Sequence, residues 1–220
     1  MANESLGLPA EVGAYLRRVG VREHPLLQRL RDETRALPEH DMQIGPEQGA
    51  FMAMLVRLMG VRRYIEVGTF TGYSSLSVAL ALPKDGRITC FDVSDEWTRI
   101  ARRYWSEAGV ADKIELRLGP GIAGLDGLLA EGAAGTIDFA FVDADKGSYP
   151  AYHERVIELL RPGGLAAYDN VLWGGAVADP SDTDHDTESI RTLNELIASD
   201  TRVDVSMIPI GDGLTLARKR

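Results

Sequence analysis

The chain has 220 residues, 45% hydrophobic and 26% charged, which suits one domain with a sizeable core. Its net charge of −9 excludes a broad nucleic-acid or anionic-membrane surface, though not a local basic rim. The single cysteine, Cys90, rules out a disulfide framework and a cysteine-based metal centre. With no apolar run of transmembrane length and no signal-peptide pattern at the start, a cytoplasmic protein is expected.

Residues 1–60 read as a helical extension, with helices over 10–19, 25–37 and 46–59. The third opens on Gly45-Pro46, where a proline costs no hydrogen bond, and closes at Gly60. Phe51, Leu55, Leu58 and Met59 share one face of it, widened by Met52 and Val56. From residue 61 the rhythm changes. Apolar strands are expected at 64–67, 88–91, 114–118, 137–142 and 165–168, separated by helices at 74–82, 96–108, 122–130 and 151–160. Strands apolar on both faces and alternating with helices predict a parallel sheet covered on both sides. Pro83–Gly86 and Arg161–Gly164 supply turns between a helix and the next strand. A helix at 187–199 precedes strands at 203–210 and 214–218, joined by Gly211-Asp212-Gly213. That pair reads as a hairpin whose last strand runs antiparallel to its neighbours. The fold class is therefore α/β: a doubly wound, mostly parallel seven-stranded sheet with an antiparallel C-terminal hairpin.

The chemistry gathers at the carboxyl ends of these strands, where open α/β sheets bind ligands. Glu66 precedes the glycine turn GTFTG, and Asp92 ends the next strand. Adjacent parallel strands would bring the two acids to one edge, where such groups take ribose hydroxyls; each alone equally fits a turn cap. The glycine pattern departs from the three spaced glycines of a dinucleotide fingerprint. Asp143 and Asp145 follow the fourth strand, and Asp169 and Asn170 follow the fifth. If those strands are neighbours, Asp143, Asp169 and Asn170 converge into an all-oxygen set suited to magnesium, manganese or calcium, with helix or loop capping as the alternative. Lys146 is either a surface partner for Asp145 or, beside a cation, a general base whose pKa is depressed by burial and positive charge. Trp173 fits a wall for an aromatic substrate as well as plain packing. Trp97, Tyr104 and Trp105 fit helix faces as core or interface residues. The four histidines lack ligand spacing, and the acidic run at 179–188 reads as a solvated loop capping the last helix.

IEVGTFTGYS, FDVSDEW, FVDADK, LRPGG and YDNVLW stand in the order and spacing of the cation-dependent O-methyltransferases that use S-adenosylmethionine. Over about residues 40–220 the chain resembles that caffeoyl-CoA/catechol group. The resemblance implies that Glu66, Gly68, Thr69, Ser74, Asp92 and Gly121 line the methyl donor's site, with Asp92 on the ribose, Asp143 bordering it and Met42 touching the donor. It implies further that Asp143, Asp169 and Asn170 hold the metal and that Lys146 matches the family's candidate base, with Asp143 beside it in the catalytic set. Plant members carry a threonine at the position of Ile44. The expected reaction moves a methyl group from S-adenosylmethionine to a hydroxyl of a small phenolic, catechol-like acceptor. Homodimerisation is expected by likeness, with residues 1–60 as lid and dimer surface. Two alternatives stand beside this reading. One is a hydroxylated tRNA nucleoside as acceptor, served by a rim of Arg17, Arg18, Arg22, Arg62 and Arg63. The other is a nicotinamide-dependent oxidoreductase or a non-catalytic nucleotide-binding module on the same sheet.

Overall fold

A computed structural model describes residues 5–220. Three helices come first: α1 (Ala10–Gly20), α2 (Pro25–Thr34) and α3 (Pro46–Met59). The alternating region follows as β1 (Arg63–Val67), α4 (Tyr73–Ala81), β2 (Arg87–Asp92), α5 (Asp95–Glu107), β3 (Ile114–Leu118), α6 (Gly121–Ala130), β4 (Ile137–Val142), α7 (Tyr149–Leu159) and β5 (Leu160–Asp169). The chain then runs through α8 (His185–Ser199), β6 (Val203–Ile208) and β7 (Leu214–Lys219). The sheet order is β3-β2-β1-β4-β5-β7-β6. β1 to β5 pair in parallel, while β7 is antiparallel to both β5 and β6. The fold is the expected one, with a single reversed strand inserted between β5 and the edge strand.

Strand pleat divides the core in two. Tyr64, Cys90, Phe139, Phe141 and Ala167 point to one face, packed with Leu27, Leu30, Met52, Val56 and Leu76 of the N-terminal helices and α4. Ile65, Val67, Ala140, Val142, Ala166 and Tyr168 point to the other, against Leu125, Tyr149, Val156 and Leu193. Burial on both faces is what the near-continuous apolar strands encode. Caps set the helix starts: Ser94 accepts from the Trp97 backbone N–H, and Asp184 from Asp186. The acidic run therefore does cap α8, which begins at His185, two residues earlier than expected. His24 caps α2 in the same way.

Three expectations are corrected. α2 stops at Thr34 rather than residue 37, and the chain runs on through turns to Pro38. The buried stripe of α3 centres on Met52 and Val56, and Leu58 is 76% exposed. Finally, Arg161–Gly164 is a bulge inside β5 rather than a turn before it. Leu160 already pairs with Ile137, the register then shifts, and pairing resumes at Leu165 opposite Phe139.

Candidate active site

The carboxyl ends of β1, β2, β4 and β5 open onto a cavity of about 580 Å³, walled on one side by the Met42–Ile44 segment ahead of α3. That volume suits a cofactor or drug-sized ligand. Met42, Gly68, Thr69, Ser74, Asp92, Gly121, Asp143, Lys146, Asn170 and Trp173 all reach its wall.

The turn after β1 is built on close backbone approach. Gly68 has φ of +89°, and a Cβ there would fall 1.7 Å from the Asp143 carbonyl oxygen. Asp92 organises the next residues. Its Oδ2 accepts from the backbone N–H groups of Thr69 (2.9 Å) and Phe70 (2.8 Å), and its Oδ1 from Ser94 (2.7 Å). Asp92 thus takes the capping role weighed for it, and it also borders the cavity with lone pairs to spare. Gly121 touches the cavity too, but the absence of its side chain is first a packing need, since a Cβ would come within 2.5 Å of Val67.

Glu66 does not itself reach the cavity wall. It is fully buried, with Oε2 accepting from the Tyr64 hydroxyl at 2.8 Å and Oε1 without a partner. Burial pushes its pKa up to about 8 against the pull of the Tyr64 hydrogen bond. By the pleat, Glu66 shares the face of Tyr64, whereas Val67 takes the other.

At the other wall, β4 and β5 are hydrogen-bonded neighbours with Val142 opposite Tyr168. Asp143 and Asp169 therefore emerge side by side, and Asn170 turns back into the cavity through a left-handed φ of +59°. Asp169 is 2% exposed, and its Oδ1 accepts from the Asn170 backbone N–H at 2.8 Å. Burial and the Asp143 charge push its pKa up, opposed by Lys146. Two carboxylates and an amide oxygen at adjacent strand ends are a chemically suitable set for a hard divalent cation.

Lys146 pairs with Asp143 (3.0 Å), not Asp145, and donates to the Tyr149 hydroxyl at 2.8 Å. Its ammonium lies 4.8 Å from the Tyr149 ring centroid and 5.8 Å from that of Trp173. Asp145 instead accepts from the Tyr152 hydroxyl. Burial works to lower the Lys146 pKa, as expected. Tyr149, Asp143 and Asp169 outweigh it, so the net shift is upward and the side chain is held protonated.

Some features escaped the sequence reading. Trp97 lines the cavity and stacks edge-on against Phe70, with ring centroids 5.1 Å apart. Its place five residues after Asp92, in the first turn of α5, was the available signal. Tyr104 and Trp105 are core, as expected. Asp212 lines the cavity and accepts from the Gly174 backbone N–H, pinning the Trp173 loop. His153 is buried between the Tyr168 hydroxyl (2.8 Å) and Asp200 (2.9 Å), away from the cavity. The basic rim does not assemble. Arg62 and Arg63 sit at the amino end of β1, the opposite edge of the sheet, with Arg62 paired to Asp85. Arg17 pairs with Glu47, and Arg18 lies over the Tyr15 ring.

Comparison with known proteins agrees with this geometry. The O-methyltransferase family model matches residues 17–220. The mouse catechol O-methyltransferase domain-containing protein 1 is 46% identical over 205 residues, covering 93% of this chain and 78% of the mouse protein. Caffeoyl-CoA O-methyltransferase 1 of Eucalyptus globulus is 42% identical over 204 residues, covering 90% of this chain and 83% of that protein. Among solved structures, the O-methyltransferase TomG of Streptomyces achromogenes, in complex with S-adenosylmethionine, superposes with a TM-score of 0.86 at 34% identity, covering 95% and 96% of the two chains. The O-methyltransferase of Bacillus cereus in complex with SAH gives 0.87 at 32%, covering 96% and 97%. The nicotinamide and non-catalytic readings are thereby set aside. The chain belongs to the O-methyltransferase family and is an S-adenosylmethionine-dependent O-methyltransferase of the caffeoyl-CoA/catechol type.

Proposed function

We propose that this enzyme methylates one hydroxyl of a small catechol-like acceptor and requires a divalent cation, magnesium foremost, with manganese or calcium as substitutes. The observation that carries the proposal is the placing of Asp143, Asp169 and Asn170 at the adjacent ends of β4 and β5, with Asp143 and Asn170 on the wall of the cavity that Asp92 also borders and Asp169 buried just behind them. Those three residues would hold the cation, which when bound supplies Lewis acidity toward a hydroxyl that otherwise ionises only near pH 10. S-adenosylmethionine brings the transferable methyl group on its sulfonium.

The chain's own residues do the rest. Asp92 accepts from the donor's ribose hydroxyls, while Gly68, Thr69, Ser74 and Gly121 let the backbone come close and Met42 covers the donor from the other side. Glu66, buried behind this wall, completes the donor side of the site beside Ser74. Trp173, held over Lys146, walls an aromatic acceptor. Lys146, in its neutral amine form, would take the acceptor's proton at Nζ. What holds it protonated here is chiefly its aromatic and acidic surroundings, and engagement of Asp143 and Asp169 elsewhere would weaken that hold. Holding acceptor oxygen and methyl carbon in line contributes roughly 7–11 kcal/mol in well-oriented systems, so no covalent enzyme intermediate is needed.

Residues 1–60 supply a wall of the cavity through Met42, Gln43 and Ile44. We propose the same region as a homodimer surface. On α1, Val12, Tyr15, Leu16 and Val19 recur at helical spacing and are all exposed, with Met54 and Leu58 on α3. Among the described residues no helix is long and apolar enough to cross a membrane, in keeping with the cytoplasmic location we propose.

The test is turnover of a panel of catechols, monophenols and bulk tRNA with labelled donor, with and without a chelator. Catechol methylation that stops on chelation and returns with magnesium is the expected result. Equal rates in chelator, or transfer to RNA alone, would overturn the proposal.

A further inference from the structure

The first turn of α3 carries an oddity that the catalytic reading does not use. Gln48 is completely buried, yet neither its Oε1 nor its Nε2 has a hydrogen-bond partner. Each such orphaned group costs on the order of 1–3 kcal/mol, and a hydrocarbon side chain of similar size would avoid the penalty. An amide kept at such a position calls for a partner.

Strand pleat identifies that partner. Leu165 and Ala167 of β5 point to the face covered by α3, and Ala166 and Tyr168 to the other. Asp169, the next residue, returns to the α3 side, where Gln48 stands beside its carboxylate without completing a hydrogen bond. Asp169 Oδ1 is already anchored by the Asn170 backbone N–H. Gln48 itself is absent from the cavity wall, so it does not touch an acceptor or donor there. The turn has little freedom to move away, because a Cβ on Gly49 would come within 2.9 Å of both Ser77 and Tyr73.

We infer that Gln48 is a positioning residue for the cation: its Nε2 donates to Asp169 and fixes the orientation of that carboxylate. Cation affinity then depends on a side chain from the N-terminal helices, and the lid segment and the cation set are coupled through one amide. The inference rests on the cation reading above. Residues that orient a metal ligand in this manner typically contribute 10–100-fold in metal affinity.

The probe is Mn²⁺, titrated by electron paramagnetic resonance into the wild-type chain and into Gln48→Met, which keeps the volume but cannot donate. The expected result is Mn²⁺ affinity weakened about 10–100-fold in the variant. Its melting temperature without metal should be unchanged or higher, because an orphaned amide is gone, and its affinity for S-adenosylhomocysteine should be unchanged. Equal Mn²⁺ affinity in both proteins, with or without a loss of thermal stability, would overturn the inference and leave Gln48 a packing residue. If the wild-type chain binds no Mn²⁺ at all, the cation reading falls and this inference with it. A second measurement needs no change at position 48. The chain has three glutamines, Gln28, Gln43 and Gln48, so ¹⁵N-glutamine labelling gives few side-chain amide signals to assign. The Gln48 pair should shift on addition of Mg²⁺ while exposed Gln28 does not; an unmoved Gln48 pair in a protein that binds Mg²⁺ would also overturn the inference.

Discussion

Replacing Gly68 by alanine tests the link between the donor turn and the cation set. The substitution meets two obstacles. At φ of +89° an L-residue is strained, at a cost of roughly 1–2 kcal/mol. The new Cβ would also lie 1.7 Å from the Asp143 carbonyl oxygen, more than an ångström inside any ordinary contact. That oxygen belongs to backbone that cannot swing aside like a side chain, since the Asp143 N–H is bonded to the Val67 carbonyl at 2.8 Å. Overpacking of this kind adds about 1–3 kcal/mol, for a total near 2–5 kcal/mol. In a chain of this size each kcal/mol shifts the melting temperature by about 2–4 °C, so a fall on the order of 10 °C is expected. Gly60→Ala is the control. It has a similar φ of +63° but open space where its Cβ would go, so it carries the strain alone. Because relief must come from moving Asp143, Gly68→Ala should also lose cation affinity, which Gly60→Ala should keep. Thermal melts and Mn²⁺ titrations on both variants decide the matter. If the two melt within about 1 °C of each other with equal cation affinity, the close approach described for this turn is wrong.

Three further outcomes follow from the site. Asp169→Ala should abolish cation-dependent turnover while leaving S-adenosylhomocysteine affinity within about twofold, since its carboxylate serves the cation and not the donor; calorimetric titration with each ligand checks it. Asp92→Ala should do the reverse. It should weaken the donor at least tenfold, because the Thr69 and Phe70 N–H groups lose their acceptor along with the ribose. Glu66→Gln should alter the pH dependence of stability in the ligand-free protein. A carboxyl raised from 4.5 to about 8 on folding is held neutral in the native state. Its contribution is fully present below pH 4.5 and is lost as pH rises toward 8. The glutamine variant should therefore gain more over wild type in melts at pH 8 than at pH 5, and a gain independent of pH would contradict the buried, proton-bearing Glu66.

Much of this architecture is written in local sequence pattern. Apolar runs such as residues 137–142 announce buried strands, and Gly45-Pro46 marks a helix start that the fold keeps. The closeness of Asp143 and Asp169 was legible because one follows β4 and the other ends β5, and neighbouring parallel strands bring such ends together whatever the loops do. Glu66 shows a limit of such reading. Its position near a strand end is visible in sequence, but its complete burial depends on what packs against that face of the pleat. Lys146 shows a different limit. Its partner is Asp143 rather than Asp145 because the short 3-10 turn over Lys146–Ser148 folds it back over the strand end, and the sign of its pKa shift depends on Tyr149 and Asp169, which only tertiary structure assembles. The bulge at Arg161–Gly164 was hidden because proline and glycines read as a turn whether they lie before a strand or within one.

The insertion of β7 between β5 and β6 has a consequence for how the protein is made. Asp169 pairs with Leu214, so β5, which carries Asp169 at its end, gains its second neighbour only from sequence translated after every other strand of the sheet. Until then β5 has a raw, apolar edge, the kind of surface on which nascent chains aggregate. Catalytic competence should arrive abruptly as the ribosome releases those residues. A chain stopped at residue 213 should be insoluble rather than merely slow. Protein fused beyond Arg220 should be tolerated, since β7 runs antiparallel to β5 and ends at the sheet edge remote from the cavity.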